Sequence, residues 1–206
     1  MNTFKSLYQD LRKRYGKSQE QWKLWCKRPK TIKERHIIMI EAILTQRTSW
    51  NNVEKAMNNL RTARAISLNS IFKLRQKQIE RFIKPAGFYK TKATYLFNLA
   101  EFVVKKYRGV KNMMRTTNIE KLRKDLLRIK GIGNETADSI LLYALDKPVF
   151  VIDEYTKRLV KEKHLMNTID YNIMQKTFED NLPRNFRLYQ DFHALIVING
   201  KVKKHN

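Results

Sequence analysis

The chain has 206 residues, of which 42% are hydrophobic, so it is long enough to bury a core and is not expected to be disordered. No apolar run approaches the ~20 residues of a membrane-spanning helix, and the single cysteine, Cys26, excludes an intrachain disulfide and a four-cysteine zinc or iron–sulfur site. The chain has 43 lysine and arginine residues against 19 acidic residues, which gives a net charge of +24. This charge favours a nucleic-acid partner over a membrane surface. The alternative is a source organism whose proteins are all rich in lysine.

Apolar residues recur at helical spacing through most of the chain, which predicts an almost entirely helical protein. The spacing is densest in residues 37–44, which predict a buried helix. The β-prone run 149–152 is short, so we interpret it as a buried linker that enters a helix. Prolines and glycines predict helix breaks near residues 29, 84–87, 131–133, 147–148 and 183.

The segment 127–137 carries the most informative motif, because one apolar helix runs into Gly131-Ile132-Gly133 and a second apolar helix follows at once. Glycines allow the backbone to turn sharply and to approach a ligand closely. Ile132 is expected to point inward and Asn134 to cap the second helix, whose free N–H groups would bind a DNA phosphate. A helix–turn–helix corner that uses glycines only for geometry gives the same pattern. The predicted phosphate-binding residues are Lys130, Gly131, Gly133, Asn134 and Thr136.

Asp153 follows the predicted linker and precedes a helical segment, so its ordinary interpretation is a helix N-cap. A capping carboxylate is held rigidly and can still face a cleft. Asp153 is therefore also a candidate catalytic group, and the two roles are compatible.

These segments together resemble a known family. The string from Ile129 through Gly131-Ile132-Gly133 and Thr136 to Pro148 and Asp153 is similar to the helix-hairpin-helix, glycine/proline-rich loop and aspartate (HhH-GPD) signature of the DNA glycosylase superfamily that includes endonuclease III. The resemblance to this family extends to the segments 42–50, 85–93 and 192–201. In total it covers about residues 30–204.

The resemblance implies an all-α fold of two helical lobes with a DNA-binding cleft between them. It implies one domain over residues 1–206, with a central lobe of about 30–145 that contains the hairpin at 122–145, and a second lobe of 1–29 plus 146–206. It also implies that Asp153 is the catalytic carboxylate, which activates a water or stabilises the sugar cation as the base departs.

The family divides at the position two residues after the second hairpin glycine. Bifunctional members carry a lysine there, whose amine attacks the sugar and forms a Schiff base. Here the position is Glu135, which implies a monofunctional enzyme, although another lysine in the cleft, Lys201 first, could substitute. The chain lacks the four cysteines of the iron–sulfur members, so it is most similar to the cluster-free branch of 3-methyladenine DNA glycosylase III. No metal or other cofactor is implied beyond a monovalent ion at the hairpin carbonyls.

The resemblance also implies a pocket for a flipped base and side chains that fill the gap in the duplex. Trp25 and Trp50 are predicted to line the pocket, where an electron-rich ring attracts a positively charged alkylated purine, whereas Trp22 is expected in the core. Gln46 and Phe88 occupy the family positions that insert into the duplex. The alternative for Phe88 is a buried hydrophobe.

We therefore expect a monofunctional DNA glycosylase that hydrolyses the N-glycosidic bond of a damaged base in double-stranded DNA, with 3-methyladenine or a related alkylated purine as the first candidate. The alternatives are a bifunctional glycosylase and abasic-site lyase, an enzyme for uracil or mismatched thymine, and a DNA-binding protein without catalysis. A cytoplasmic, nucleoid-associated monomer without a membrane partner is expected, because no secretory signal is recognisable. His193 is expected to be a core or hydrogen-bonding histidine.

Overall fold

The computed structural model describes residues 3–16 and 21–202, and every regular element within these ranges is helical, which confirms the predicted all-α class. None of the helices described there is long and apolar enough to cross a membrane. In chain order the helices are α1 (Thr3–Tyr15), α2 (Trp22–Trp25), α3 (Ile32–Leu44), α4 (Trp50–Thr62), α5 (Leu68–Phe72), α6 (Gln76–Ile83), α7 (Tyr89–Tyr107), α8 (Val110–Arg115), α9 (Ile119–Leu127), α10 (Asn134–Ser139), α11 (Glu154–Glu162), α12 (Tyr171–Asn181) and α13 (Phe186–Val202). A 3₁₀ turn (Lys84–Ala86) precedes α7, and a π-helical segment (Ile140–Ala144) extends α10.

The chain divides into two compact units. We call Pro29–Ile140 the continuous unit, and Met1–Arg28 together with Leu141–Asn206 the split unit. The boundary between Ile140 and Leu141 lies where α10 passes into its π-helical extension, whereas the sequence predicts this boundary after residue 145.

Helix α3 forms the buried centre of the continuous unit. It begins at Thr31, whose side chain accepts a hydrogen bond from the Glu34 amide at 3.2 Å, while the Glu34 carboxylate accepts one from the Thr31 amide at 2.7 Å. This reciprocal cap satisfies two amides that the first turn of a helix leaves unpaired. The buried helix predicted for residues 37–44 is confirmed, since all eight of these side chains are buried.

The linker 149–152 positions the start of α11 in the split unit. It is buried, as predicted, and it has no regular secondary structure. Side chains of α12 satisfy its backbone instead, because the Phe150 amide donates to Glu179 at 2.7 Å and the Gln175 amide group donates to the Phe150 carbonyl at 2.6 Å. The Phe150 ring stacks on Phe178 with 4.3 Å between the ring centroids. These contacts restrain the linker and therefore the position of the residue that follows it, Asp153.

Candidate active site

Asp153 caps helix α11, as the sequence predicts. Its Oδ1 accepts a hydrogen bond from the Thr156 amide at 2.7 Å and another from the Thr156 hydroxyl at 2.9 Å. The side chain is 12% exposed, so only a small part of the carboxylate meets solvent. The cap and the burial fix the carboxylate in one orientation.

The second oxygen of Asp153 faces His193 of helix α13. Nε2 of His193 lies 3.4 Å from Oδ2, which is within ion-pair distance but is not a well-aligned hydrogen bond. On the other side of the imidazole, the Tyr143 hydroxyl lies 2.7 Å from Nδ1 and 3.3 Å from the Gln190 carbonyl. If the hydroxyl donates to Nδ1, the imidazole is neutral with its proton on Nε2, facing Asp153; if the hydroxyl donates to the Gln190 carbonyl, it accepts a hydrogen bond from Nδ1–H.

Sequence reasoning placed His193 among core or hydrogen-bonding histidines and missed its position beside Asp153. The two residues are 40 positions apart on helices that meet only in the tertiary structure, so no spacing signals the pair. Their proximity also affects the carboxyl group. Burial would raise the pKa of Asp153, but the charge of a protonated His193 and the hydrogen bonds from Thr156 outweigh it and hold the pKa below its usual range. Asp153 is therefore ionised at neutral pH.

An aromatic cluster surrounds the Tyr143–His193 pair in the split unit. Trp22 and Trp25 are 3% and 5% exposed and meet edge to face at 5.7 Å. Both rings pack on Tyr143, at 5.6 and 5.1 Å, and Trp22 also lies 5.9 Å from His193. Trp22 is a core residue, as expected. Trp25, a predicted pocket residue, is as buried as Trp22, and its role in a pocket stays a prediction.

Two other predicted site residues are half-buried. Trp50 begins α4 in the continuous unit and is half-buried. Lys201 is half-buried in the last turn of α13 of the split unit. The residue before it, Gly200, is constrained, because an added Cβ would come within 2.3 Å of the Tyr155 ring. Helix α13 therefore packs closely against the first turn of α11 at this point.

The hairpin between α9 and α10 needs its first glycine for two reasons. Gly131 has φ of +97°, and a Cβ there would come within 2.0 Å of the Tyr95 ring. Gly133 has φ of −91°, and a Cβ there would meet no atom within 4 Å. The second glycine thus leaves open space beside the backbone, which suits the close approach of a ligand. Ile132 between them is buried, as expected.

The predicted cap of the second hairpin helix is wrong by one residue. Gly133, in extended conformation, occupies the N-cap of α10, and Asn134 is the first helical residue. The Asn134 side chain instead accepts a hydrogen bond from Arg123 at 3.3 Å, and Arg123 also pairs with the buried Asp138 at 2.6 Å. Asn134 is therefore past the N-cap position, and its side-chain oxygen is engaged by Arg123 of α9.

The carbonyls of the hairpin accept hydrogen bonds from protein side chains. The Gln46 amide group donates to the Gly131 carbonyl at 3.0 Å and to the Thr136 hydroxyl at 3.1 Å, and Asn98 donates to the Lys130 carbonyl at 3.3 Å. Gln46, predicted to insert into a duplex, must therefore leave the hairpin to reach an orphaned base. Each of these two carbonyls thus accepts one side-chain hydrogen bond and keeps a second lone pair, and the monovalent ion expected at the hairpin carbonyls stays a prediction.

Charged side chains flank the hairpin. Lys130 and Glu135 are both exposed, Lys130 just before the turn and Glu135 in the first turn of α10. Thr136, a predicted phosphate-binding residue, is buried, and its hydroxyl accepts the hydrogen bond from Gln46. Among the residues the structure describes, no three histidine, cysteine, aspartate or glutamate side chains are grouped to hold a metal ion.

Phe88 is exposed, which excludes the alternative of a buried hydrophobe. It is 66% exposed and has φ of 46°, directly after Gly87 with φ of 66°. A left-handed backbone is unfavourable for a phenylalanine and requires support from its surroundings. The ring of Phe88 therefore lies outside the core, directly before α7, and its insertion into a duplex stays a prediction.

Replacing Phe88 with alanine should change the free energy of unfolding by less than about 0.5 kcal/mol, because an exposed ring makes few packing contacts. The same change should lower the affinity for a duplex with an abasic-site analogue. Urea titration and fluorescence anisotropy measure the two effects. A large loss of stability with unchanged affinity would show that the ring is structural.

Comparison with known proteins gives consistent matches. Residues 40–184 match the family of HhH-GPD superfamily base excision DNA repair proteins. A protein of Methanocaldococcus jannaschii, provisionally named a DNA repair glycosylase, is 43% identical over 165 residues, which are 79% of this chain and 75% of that protein. Endonuclease III of Thermotoga maritima is 27% identical over 59% of this chain and 53% of that protein.

Solved structures show the same relationship in three dimensions. The crystal structure of Helicobacter pylori 3-methyladenine DNA glycosylase bound to 1,N6-ethenoadenine superposes with a TM-score of 0.78 and 29% identity, over 97% of this chain and 96% of that chain. An endonuclease III trapped as a covalent intermediate with DNA superposes with a TM-score of 0.73 at 16% identity, which supports the fold alone.

Proposed function

We propose a specific reaction for this chain, which belongs to the HhH-GPD superfamily of base excision DNA repair proteins and is a DNA glycosylase, an enzyme that acts on N-glycosyl bonds. The enzyme is monofunctional and hydrolyses the N-glycosyl bond of an alkylated purine, 3-methyladenine or a close relative, in duplex DNA. The observation that carries the proposal is the carboxylate of Asp153, which is buried, capped and ionised.

The carboxylate of Asp153 supplies what glycosidic cleavage requires. As the base departs, positive charge develops on the sugar, and a fixed negative group stabilises that charge more strongly in a buried site than in water. The amide and the hydroxyl of Thr156 both donate to Oδ1 of Asp153. The lone pairs of the carboxylate that these bonds leave free would face the sugar or orient a water for attack. His193 and Tyr143 restrain the carboxylate from the opposite side.

An alkylated purine suits the aromatic side chains. Alkylation at a ring nitrogen gives the base a positive charge, and tryptophan faces attract such charges. Trp50 is half-buried rather than part of the core, which is compatible with stacking on an extruded base. The similarity to an H. pylori enzyme whose structure holds 1,N6-ethenoadenine supports the same class of substrate.

The substrate is tested with a panel of single-lesion duplexes. We expect methylated DNA and duplexes with 1,N6-ethenoadenine to lose their damaged base, and duplexes with uracil, mismatched thymine or 8-oxoguanine to remain intact. Release of uracil or thymine in preference to alkylated purines would assign a different substrate. Tight binding without release from any duplex would indicate a DNA-binding protein without catalysis.

The exposed Glu135 supports hydrolysis without strand cleavage, since a carboxylate cannot form the Schiff base of a lyase. Incubation with abasic DNA and borohydride should therefore leave no covalent adduct with the native chain. A Glu135→Lys variant supplies an amine at the family's lysine position and is the matched control, for which an adduct is expected. An adduct with the native chain that disappears in Lys201→Met would instead identify a bifunctional enzyme.

A further inference from the structure

Lys92 is a buried lysine of helix α7 whose ammonium bridges two backbone carbonyls. The side chain is 2% exposed. Its Nζ donates to the Leu44 carbonyl at 2.8 Å and to the Ala86 carbonyl at 2.9 Å. The two carbonyl oxygens therefore lie no farther apart than two hydrogen-bond lengths. All three residues belong to the continuous unit.

Each of these carbonyls belongs to the last residue of a helical segment. A residue whose side chain is predicted to insert into the duplex follows shortly after it. Leu44 is the last residue of α3, and Gln46 follows two positions later. Ala86 ends the 3₁₀ turn, and Phe88 follows two positions later. The Lys92 backbone amide also donates to the Phe88 carbonyl at 2.9 Å, so Lys92 contacts the chain on both sides of Phe88.

The backbone beyond both carbonyls passes through positive φ, which is unfavourable at its two non-glycine residues, Arg47 and Phe88. Arg47, Gly87 and Phe88 all have positive φ, of 51°, 66° and 46°. Non-glycine residues adopt this conformation only when their surroundings impose it. Two charge-assisted hydrogen bonds at the preceding carbonyls are such a restraint.

The ammonium holds this position without an ion pair. No carboxylate lies within ion-pair distance of Lys92 in residues 3–16 and 21–202, and burial lowers the pKa of its amine to about 8. At neutral pH the amine therefore keeps its proton and its hydrogen bonds. Since burying a charge is costly, the two carbonyls must provide most of the compensation.

We propose that Lys92 is a positioning residue for duplex distortion, which fixes the segment that carries Gln46 and the turn that carries Phe88 at one spacing, so that both side chains enter the DNA together. The proposal rests on the proposed function, because it needs these two residues to insert. Lys92 acts through the two segments and does not touch the DNA. Its loss should therefore affect distorted duplexes more than undamaged ones.

The test uses a duplex with 2-aminopurine opposite an abasic-site analogue. The fluorescence of this base rises when it loses its stacking neighbours, so it reports insertion directly. Lys92→Met keeps the length of the side chain and removes the donors. We expect the fluorescence rise to shrink strongly and the preference for abasic over undamaged duplex to fall about tenfold, because both carbonyls lose their donor.

Two reference variants separate the explanations. Lys90→Met removes one exposed charge from the same helix and should leave the fluorescence rise unchanged, while affinity for both duplexes falls equally. Phe88→Ala removes the inserted ring itself. If neither the native chain nor Phe88→Ala gives a different signal from free DNA, the predicted insertion of Gln46 and Phe88 into the duplex is wrong, whereas the proposed base hydrolysis is judged by its own release assay. If Phe88→Ala loses the rise and Lys92→Met retains it, only the role of Lys92 is overturned.

Should Lys92→Met fail to fold, Lys92→Gln keeps N–H donors in a shorter side chain that can reach one carbonyl. It is expected to give an intermediate fluorescence rise with near-native affinity for undamaged duplex. A folded Lys92→Gln with the full native rise would overturn the proposal. Equal losses of affinity for both duplexes would also overturn it, since they would show a general structural role.

Discussion

Replacing Asp153 with asparagine is expected to lower the rate of base release by about 100- to 1000-fold while DNA binding persists. Asparagine is also a good helix cap and keeps an oxygen to accept the Thr156 amide, so α11 should start unchanged. What disappears is the negative charge opposite the developing sugar cation. Loss of such preorganised electrostatic stabilisation lowers catalytic rates by about 100- to 1000-fold. Single-turnover release from methylated DNA, with anisotropy titration for binding, measures both effects.

The matched control for this change is Asp170→Asn. Asp170 caps α12 of the same unit in the same way, and its carboxylate accepts a hydrogen bond from the Ile173 amide at 2.9 Å. This variant should keep native release rates. Retained activity in Asp153→Asn, or equal losses in both variants, would contradict a catalytic role for Asp153.

Gly131→Ala is expected to destabilise the fold strongly. The new methyl group would overlap the Tyr95 ring, and alanine would have to adopt φ of +97°. Overpacking of this kind costs about 1–3 kcal/mol, and the left-handed backbone adds about 1–2 kcal/mol. The free energy of unfolding, measured by urea denaturation, should therefore fall by roughly 2–5 kcal/mol.

Gly133→Ala provides the contrast within the same hairpin. The added methyl group meets no atom within 4 Å, and the backbone conformation is one that alanine adopts readily. The fold should stay intact, but the methyl group would stand where the backbone is proposed to approach a DNA phosphate, so affinity for duplex should fall. Stability losses of equal size in both variants would contradict the different roles of the two glycines.

Local sequence patterns predicted the helical class, the buried helix α3 and the cap at Asp153. Helical periodicity located α3, and the short run 149–152 was correctly interpreted as a buried linker. The cap at Asp153 was predictable because aspartate before a helix is a strong local signal. The same local rule failed at Asn134, where Arg123 from the preceding helix competes for the side chain.

Contacts between distant segments could not be predicted. Nothing in the spacing places His193 beside Asp153 or ties Gln46 to the hairpin, 85 residues later. The bridge from Lys92 to two carbonyls is invisible for the same reason, since hydrophobic periodicity describes faces of helices and not the partners of a polar atom. Such contacts depend on how helices pack, which short-range propensities do not determine.

The most direct test of a carboxylate-assisted hydrolysis is mass spectrometry of both products from one reaction with methylated duplex DNA. The native chain should release the free alkylated purine, and the strand should remain uncut with an abasic sugar at the lesion. In the time that the native chain needs to complete the reaction, Asp153→Asn should form almost none of either product. A strand cut at the lesion, or an alkylated purine released equally by the variant, would contradict the account.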